Sequence, residues 1–192
     1  SKLAGHFSGL IFHFLEKRLL QGAVGVNVVS EGFYDYFISK EINVSDWTCF
    51  PNGIDKEFTN VNFKRNINIK PKKTILYAGN IGSGQGLDIM LPNVAKKIEH
   101  KYRFLIIGAG GSNKKLNQII KKKGISNVDI ISPVSRDKLI EHYLEADLLF
   151  LHLNSVKAFK RVLPSKIFEY AVIGRPILAG LSGYSKSFLN DN

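Results

Sequence analysis

From Thr74 onward the chain alternates short apolar runs with stretches of helical length, and this alternation restricts the fold more than any other feature. Ile75-Leu76-Tyr77-Ala78, Phe104 to Ile107, Val128 to Ile131, Leu148 to Leu153 and Ile177-Leu178-Ala179 each read as a strand. Between them fall helices over Leu87 to about His100, a lysine-rich stretch ending at Gly124, Arg136 to Ala146, and Pro164 to Gly174. Antiparallel neighbours need only a tight turn, whereas strands joined through helices run parallel and have both faces covered. The predicted class is therefore α/β, a parallel sheet with helices on both faces. Ligands of such sheets bind at the carboxyl ends of the strands.

The loops at that edge are unusual. Gly79-Asn80-Ile81-Gly82-Ser83-Gly84-Gln85-Gly86 joins the first of these strands to its helix. Glycines there let the backbone approach a phosphate, and a helix start supplies free N–H donors. No Gly-Lys-Ser/Thr follows, so the loop is not a P-loop. Gly108-Ala109-Gly110-Gly111, with Asp129 downstream, suggests a dinucleotide site. The spacing is not G-x-G-x-x-G, however, and Asp129 falls inside its strand, so a nicotinamide cofactor is disfavoured. In Ser132-Pro133-Val134-Ser135 the backbone at Val134 suits the edge of a base, and Ser135 suits a plain helix cap.

The stretch Leu163-Pro164-Ser165-Lys166-Ile167-Phe168-Glu169-Tyr170 carries the densest chemistry. Pro164 fits the first position of a helix, where its missing N–H costs nothing. Ser165 and Lys166 then occupy the first turn, beside unpaired amides that favour an anion. Glu169 lies one turn on, on the same face. A carboxylate behind an anion-binding helix start suits a nucleotide ribose attached to its phosphates; a solvated Lys–Glu pair on an amphipathic helix reads equally well. Gly174 closes the helix.

Upstream the pattern is looser. A helical apolar period runs through Leu3, Phe7, Leu10, Ile11, Phe14 and Leu15, with Lys17-Arg18 near its end. Such a helix suits either an anionic membrane face or packing against a further domain. Ala23 to Val29 and Trp47 to Phe50 read as strands flanking a helix from Glu31 to about Ile42, capped by Ser30. Pro51-Asn52-Gly53-Ile54-Asp55 is a turn, and the polar stretch through Asn60, Asn62, Asn66 and Asn68 to Lys73 marks a domain boundary.

A net charge of +11 points to acidic partners. No aromatic-rich basic strand accompanies it, so nucleic acid is not expected. The single cysteine, Cys49, leaves no intrachain disulfide and agrees with a reducing compartment. No apolar run approaches the ~20 residues that span a bilayer, and no cleavable leader is read. His6 and His13 are too far apart for one ion, and His100, His142 and His152 are scattered, so no metal site is predicted. The chain opens at Ser1 and closes soon after a strand, which predicts a piece of a longer protein.

Together these stretches resemble the retaining glycosyltransferases of family four, whose GT-B fold sets two Rossmann-like domains face to face. Val28-Val29-Ser30-Glu31-Gly32 followed by Pro51-Asn52-Gly53-Ile54-Asp55 is similar to the end of the acceptor domain and its crossover. Tyr77-Ala78-Gly79-Asn80-Ile81-Gly82 with Gln85-Gly86-Leu87 resembles the first loop of the donor domain. Pro164-Ser165-Lys166-Ile167-Phe168-Glu169-Tyr170 resembles the version in aminosugar (fucosamine-type) transferases of bacterial surface-polysaccharide clusters. The resemblance implies an acceptor-domain remnant over residues 1–53, a crossover over 54–73 and a truncated donor domain over 74–192.

It further implies that Glu169 holds the ribose of a nucleoside diphosphate sugar, UDP before GDP, and that Val134 meets the base. The loop of Gly82, Ser83, Gly84, Gln85 and Gly86 and the helix start at Ser165 and Lys166 would meet the diphosphate, and Gly79, Asn80, Leu163 and Pro164 would also belong to the donor site. Asn80 and Gln85 stand where many relatives have Arg and Lys, and Arg161 stands where the paired-glutamate motif has an acid. Lys160, Arg161 or Lys166 would supply the missing positive charge, with no cofactor or metal; Glu169, Lys166 and Arg161 are the implied catalytic residues. A glycan or polyprenyl-linked acceptor follows, with a cytoplasmic location and peripheral contact at an anionic inner membrane face. The isolated piece is expected to bind nucleotide weakly without turnover. The rival expectations are a noncatalytic nucleotide- or membrane-binding module and a sugar-nucleotide epimerase.

Overall fold

The computed structural model describes residues 2–42, 46–59 and 71–192, with side chains from Ile11 onward. Asn60, Asn62, Asn66 and Asn68 of the expected crossover lie outside the described residues, as do the side chains of Leu3, Phe7 and Leu10. The chain forms two compact units. The smaller gathers residues up to Asn52 together with Lys160–Leu163 and Gly183–Asn192; the larger is Gly53–Phe159 with Pro164–Ser182.

The larger unit is α/β. Its strands are β3 (Lys73–Ala78), β4 (Tyr102–Ile107), β5 (Val128–Ile131), β6 (Leu148–His152) and β7 (Ile177–Gly180), all parallel in the order β5-β4-β3-β6-β7. Its helices are α3 (Lys56–Thr59), α4 (Leu87–Lys97), α5 (Asn113–Lys122), α6 (Arg136–Glu145) and α7 (Lys166–Ile173). The order reverses direction after β5-β4-β3, as a doubly wound sheet does, which opens a crevice at the carboxyl edge. Alternation along the strands builds two cores. Ile75, Tyr77, Phe104, Ile106 and Phe150 pack against Leu87, Leu91 and Ala95 of α4 and Leu116 and Ile120 of α5. Leu76 and Leu149, also fully buried, alternate with these, and α6 and α7 contact the sheet at β3 and β6. Tyr170 is buried within the unit; its hydroxyl donates to the Phe150 carbonyl and accepts from the Ala78 amide, at 3.3 and 3.4 Å.

The smaller unit holds α1 (Lys2–Gln21), β1 (Val26–Val28), α2 (Tyr34–Ser39), β2 (Trp47–Cys49) and α8 (Tyr184–Asp191). β1 and β2 pair in parallel, with Val28 and Phe37 at the centre of a cluster that Trp47 and Phe33 border. Phe12, Phe14 and Leu19 of α1 are exposed. No helix among the described residues is long and apolar enough to cross a membrane.

Several boundaries differ from the sequence-based expectation. The helix expected over Glu31 to Ile42 is a 3₁₀ turn (Glu31–Phe33) running into α2, and Glu41 follows at φ 53°. Ser30 does cap it, accepting from the Gly32 amide at 3.3 Å. β1 is shorter than the apolar run around it, and α4 stops at Lys97, where Ile98 leaves helical geometry. α7 starts at Lys166 with Ser165 as its N-cap; Pro164 precedes it and accepts from the Ile167 amide. α8 was not expected at all, because its apolar positions are few.

Phe150 touches both Tyr77 and Phe104 in the core. Phe150→Ala is expected to cost about 3–5 kcal/mol of stability, read from urea unfolding of the two chains.

Candidate functional site

The carboxyl edge of the larger unit is shaped by two glycine loops laid side by side. The Gly79 amide donates to the Ile107 carbonyl at 2.9 Å, and the Ile81 amide donates to Ala109 at 2.8 Å. A Cβ on Gly108 would strike the Gly79 carbonyl, and one on Gly110 would strike Asn80 and Ile81. The glycines of Gly108-Ala109-Gly110-Gly111 thus admit the neighbouring loop, while Asp129 is exposed within its strand. Tyr77 supports the turn from below, its hydroxyl donating to the Asn80 carbonyl at 2.7 Å while burial pushes its pKa up.

The remainder of the first loop is clamped. Gln85 Oε1 accepts from the Gly82 amide at 3.2 Å and from Asn80 Nδ2 at 3.3 Å, so Asn80 and Gln85 engage each other. From the end of β6, His152 Nδ1 donates to the Gln85 carbonyl at 2.6 Å, and the Asn154 amide donates to Gly84 at 2.9 Å. Asn154 Nδ2 also holds the Ser83 carbonyl. Gly84 faces the Phe159 ring, and Gly86 caps α4 in the left-handed region (φ 61°) directly against the Asn154 side chain.

Between these loops and α7 lies a cavity of about 300 Å³. Gly79, Asn80, Val134 and Lys166 line it, together with Gly108, Ala109 and Leu139. Its walls are mainly backbone and aliphatic, and Lys166 is the cationic residue among those that line it.

Lys166 is held by a compact polar network. Its Nζ donates to Glu169 Oε2 at 2.7 Å and to the Tyr143 hydroxyl at 3.2 Å, and that hydroxyl donates to Glu169 Oε2 at 3.2 Å. Burial, then the neighbouring Tyr170 and the Glu169 charge, drive the Tyr143 pKa far up, so it acts as a neutral donor. Arg136 Nη1 faces Glu169 Oε1 at 4.0 Å, and its Nη2 pairs with Asp55. The guanidinium lies 5.3 Å from the centroid of Phe58, which is fully buried and stacks on Tyr143.

Of the residues expected from sequence, the cavity therefore brings together Gly79, Asn80, Val134 and Lys166, with Glu169 behind Lys166. Gly82, Ser83, Gly84, Gln85 and Gly86 belong to the clamped loop and are not among the lining residues. Pro164 and Ser165 sit at the start of α7. Leu163 and Arg161 belong to the smaller unit, where the Arg161 guanidinium lies 3.6 Å from the Tyr36 centroid and its carbonyl accepts from Ser30 Oγ. Ser135 makes no side-chain cap. Arg136, Tyr143, Asp55 and Asn154 were not anticipated; Arg136 and Tyr143 share a face of α6 two turns apart, but only the fold brings that face to Asp55 and Glu169. His152 was weighed only as a metal ligand, and among the described residues no group of three His, Cys, Asp or Glu side chains is placed to hold an ion.

The family described as "Glycosyl transferases group 1" matches residues 59–192. Over 179 residues the chain is 26% identical to the putative colanic acid biosynthesis glycosyl transferase WcaI of Escherichia coli (strain K12), covering 89% of this chain and 44% of that protein. Among solved structures, Anabaena HepE in complex with UDP and glucose superimposes with a TM-score of 0.68 at 16% identity, over 88% of this chain and 47% of that one. S. aureus TarM, in a complex that contains UDP, superimposes with a TM-score of 0.67 at 17% identity, over 88% of this chain and 32% of that one. The chain thus spans less than half the length of these relatives, and the likeness in fold is to GT-B proteins.

Gly86→Ala is expected to destabilise the chain by more than 1 kcal/mol in urea unfolding, from the left-handed φ and the collision with Asn154 together. Adding Asn154→Ala should relieve the collision but leave about 1–2 kcal/mol of backbone strain, together with the loss of the Asn154–Ser83 hydrogen bond.

Proposed function

The chain belongs to the glycosyl transferases group 1 family, and we infer that it carries the donor-nucleotide site of a retaining glycosyltransferase. The observation that carries this reading is the cavity at the carboxyl edge, lined by Gly79, Asn80, Gly108, Val134 and Lys166. A uracil suits the Val134 wall, the diphosphate suits Lys166 and the first turn of α7, and Glu169 takes the ribose hydroxyls. UDP in the complexes of HepE and TarM supports a uridine donor. The relation to WcaI supports sugar transfer in polysaccharide synthesis; an N-acetylaminosugar donor and a glycan or polyprenyl-linked acceptor rest on the resemblance of Pro164 to Tyr170 to the aminosugar transferases.

In this reading an acceptor hydroxyl oxygen bonds to the anomeric carbon as the bond from that carbon to the diphosphate breaks. The electron pair of the broken bond stays on the departing nucleoside diphosphate, whose oxygen takes up the acceptor proton. Lys166 and the amides at the start of α7 stabilise that developing charge, the usual dominant contribution in such displacements. Residues 1–53 are read as the close of the acceptor domain and 54–73 as the crossover. A peripheral position at an anionic membrane face fits the net charge of +11.

Calorimetric titration of the chain with UDP, GDP and NAD tests the reading. UDP is expected to bind best, and Glu169→Ala to weaken it about 10- to 150-fold through loss of a charged hydrogen bond. A folded chain that binds none of the three would instead favour a noncatalytic module.

A further inference from the structure

The cavity and its network present a difficulty for any anionic ligand. Lys166 is the cation that lines the cavity, yet its ammonium is already engaged by Glu169 Oε2 at 2.7 Å. Glu169 is only 13% exposed. Were Lys166 to turn to a diphosphate, Glu169 would be left with neutral hydroxyls alone, those of Tyr143 and the ribose, and a carboxylate at such depth without a cation is costly. A second cation must therefore remain beside it.

We propose that Arg136 is that cation and acts as a positioning residue of the nucleotide site, holding Glu169 so that Lys166 is free to meet the diphosphate. The guanidinium faces the other carboxylate oxygen, Oε1, at 4.0 Å and does not line the cavity. It acts through Glu169, not on the ligand. Its planar fork serves two carboxylates at once, since Asp55 pairs with Nη2 while Nη1 faces Glu169. The fully buried Phe58 ring beneath it limits where it can go. Asp55 competes with Glu169 for the same guanidinium and so sets how completely Lys166 is released. With the site empty, two carboxylates and two cations balance; with a diphosphate present, Lys166 changes partner and Arg136 stays.

This inference rests on the nucleotide reading above, and a double-mutant cycle on the full chain separates the two. UDP affinity is measured by calorimetry for the unaltered chain, Arg136→Gln, Glu169→Gln and the double variant, with thermal unfolding of each to check folding. Arg136→Gln should weaken UDP about 5- to 20-fold, and Arg136→Lys, which keeps the charge but not the fork, should restore part of the loss. In the Glu169→Gln background the same change should matter less than about twofold, because no carboxylate then retains Lys166. A loss of similar size in both backgrounds would mean that Arg136 acts directly on the ligand or only supports the fold, and overturns the proposal. Should Arg136→Gln fail to fold, Asp55→Asn serves instead. It should strengthen UDP about 2- to 5-fold, and only while Glu169 is present; an unchanged affinity, or a gain that persists in Glu169→Gln, overturns the proposal. Absence of UDP binding in the unaltered chain would overturn the nucleotide reading itself.

Discussion

The near-contact of two backbones at the carboxyl edge of the sheet underlies everything else at the site. The Gly79 carbonyl occupies the place where residue 108 would carry a Cβ, and the loop after β3 is hydrogen-bonded along the loop after β4. Those bonds turn two connections into one shelf, and the cavity is the space between that shelf and α7. A side chain at residue 108 would force the loops apart and remove the floor on which a ligand would rest.

The polar half of the site follows a different physics. Lys166, Glu169 and Tyr143 form a partly buried set, and the exposed Arg136 and Asp55 border it, so that each charge has an opposite neighbour. Such sets contribute little net stability, because desolvation offsets attraction, but they fix geometry, since removing one member strands another. Tyr143 links this set to the apolar packing: its ring meets Phe58 and Tyr170, and its hydroxyl meets Lys166 and Glu169.

The sheet was legible because apolar runs of strand length alternated with amphipathic helices, and both loops at its carboxyl edge announced themselves through glycine. The placement of Lys166 and Glu169 on one face of α7 followed from helical spacing alone, and the structure sets them 2.7 Å apart. Arg136 escaped notice because its partners Asp55 and Glu169 lie on other elements, and only the folded topology brings them together. Gly108-Ala109-Gly110-Gly111 drew a dinucleotide comparison because glycine states that something comes close without stating what. Here the near neighbour is another stretch of the same chain. α8 was missed because few apolar residues mark it.

The order in which the chain visits its two units also bears on inheritance. The larger unit is interrupted after Phe159 and resumes only at Pro164, and the smaller unit reclaims the chain at Gly183. Lys166 and Glu169 therefore lie on a short insert bracketed on both sides by residues of the smaller unit. A gene segment ending before residue 160 would transmit the glycine shelf and Arg136 but neither of these two. Recombination by a single crossover could not pass on this site whole without also passing on parts of its companion.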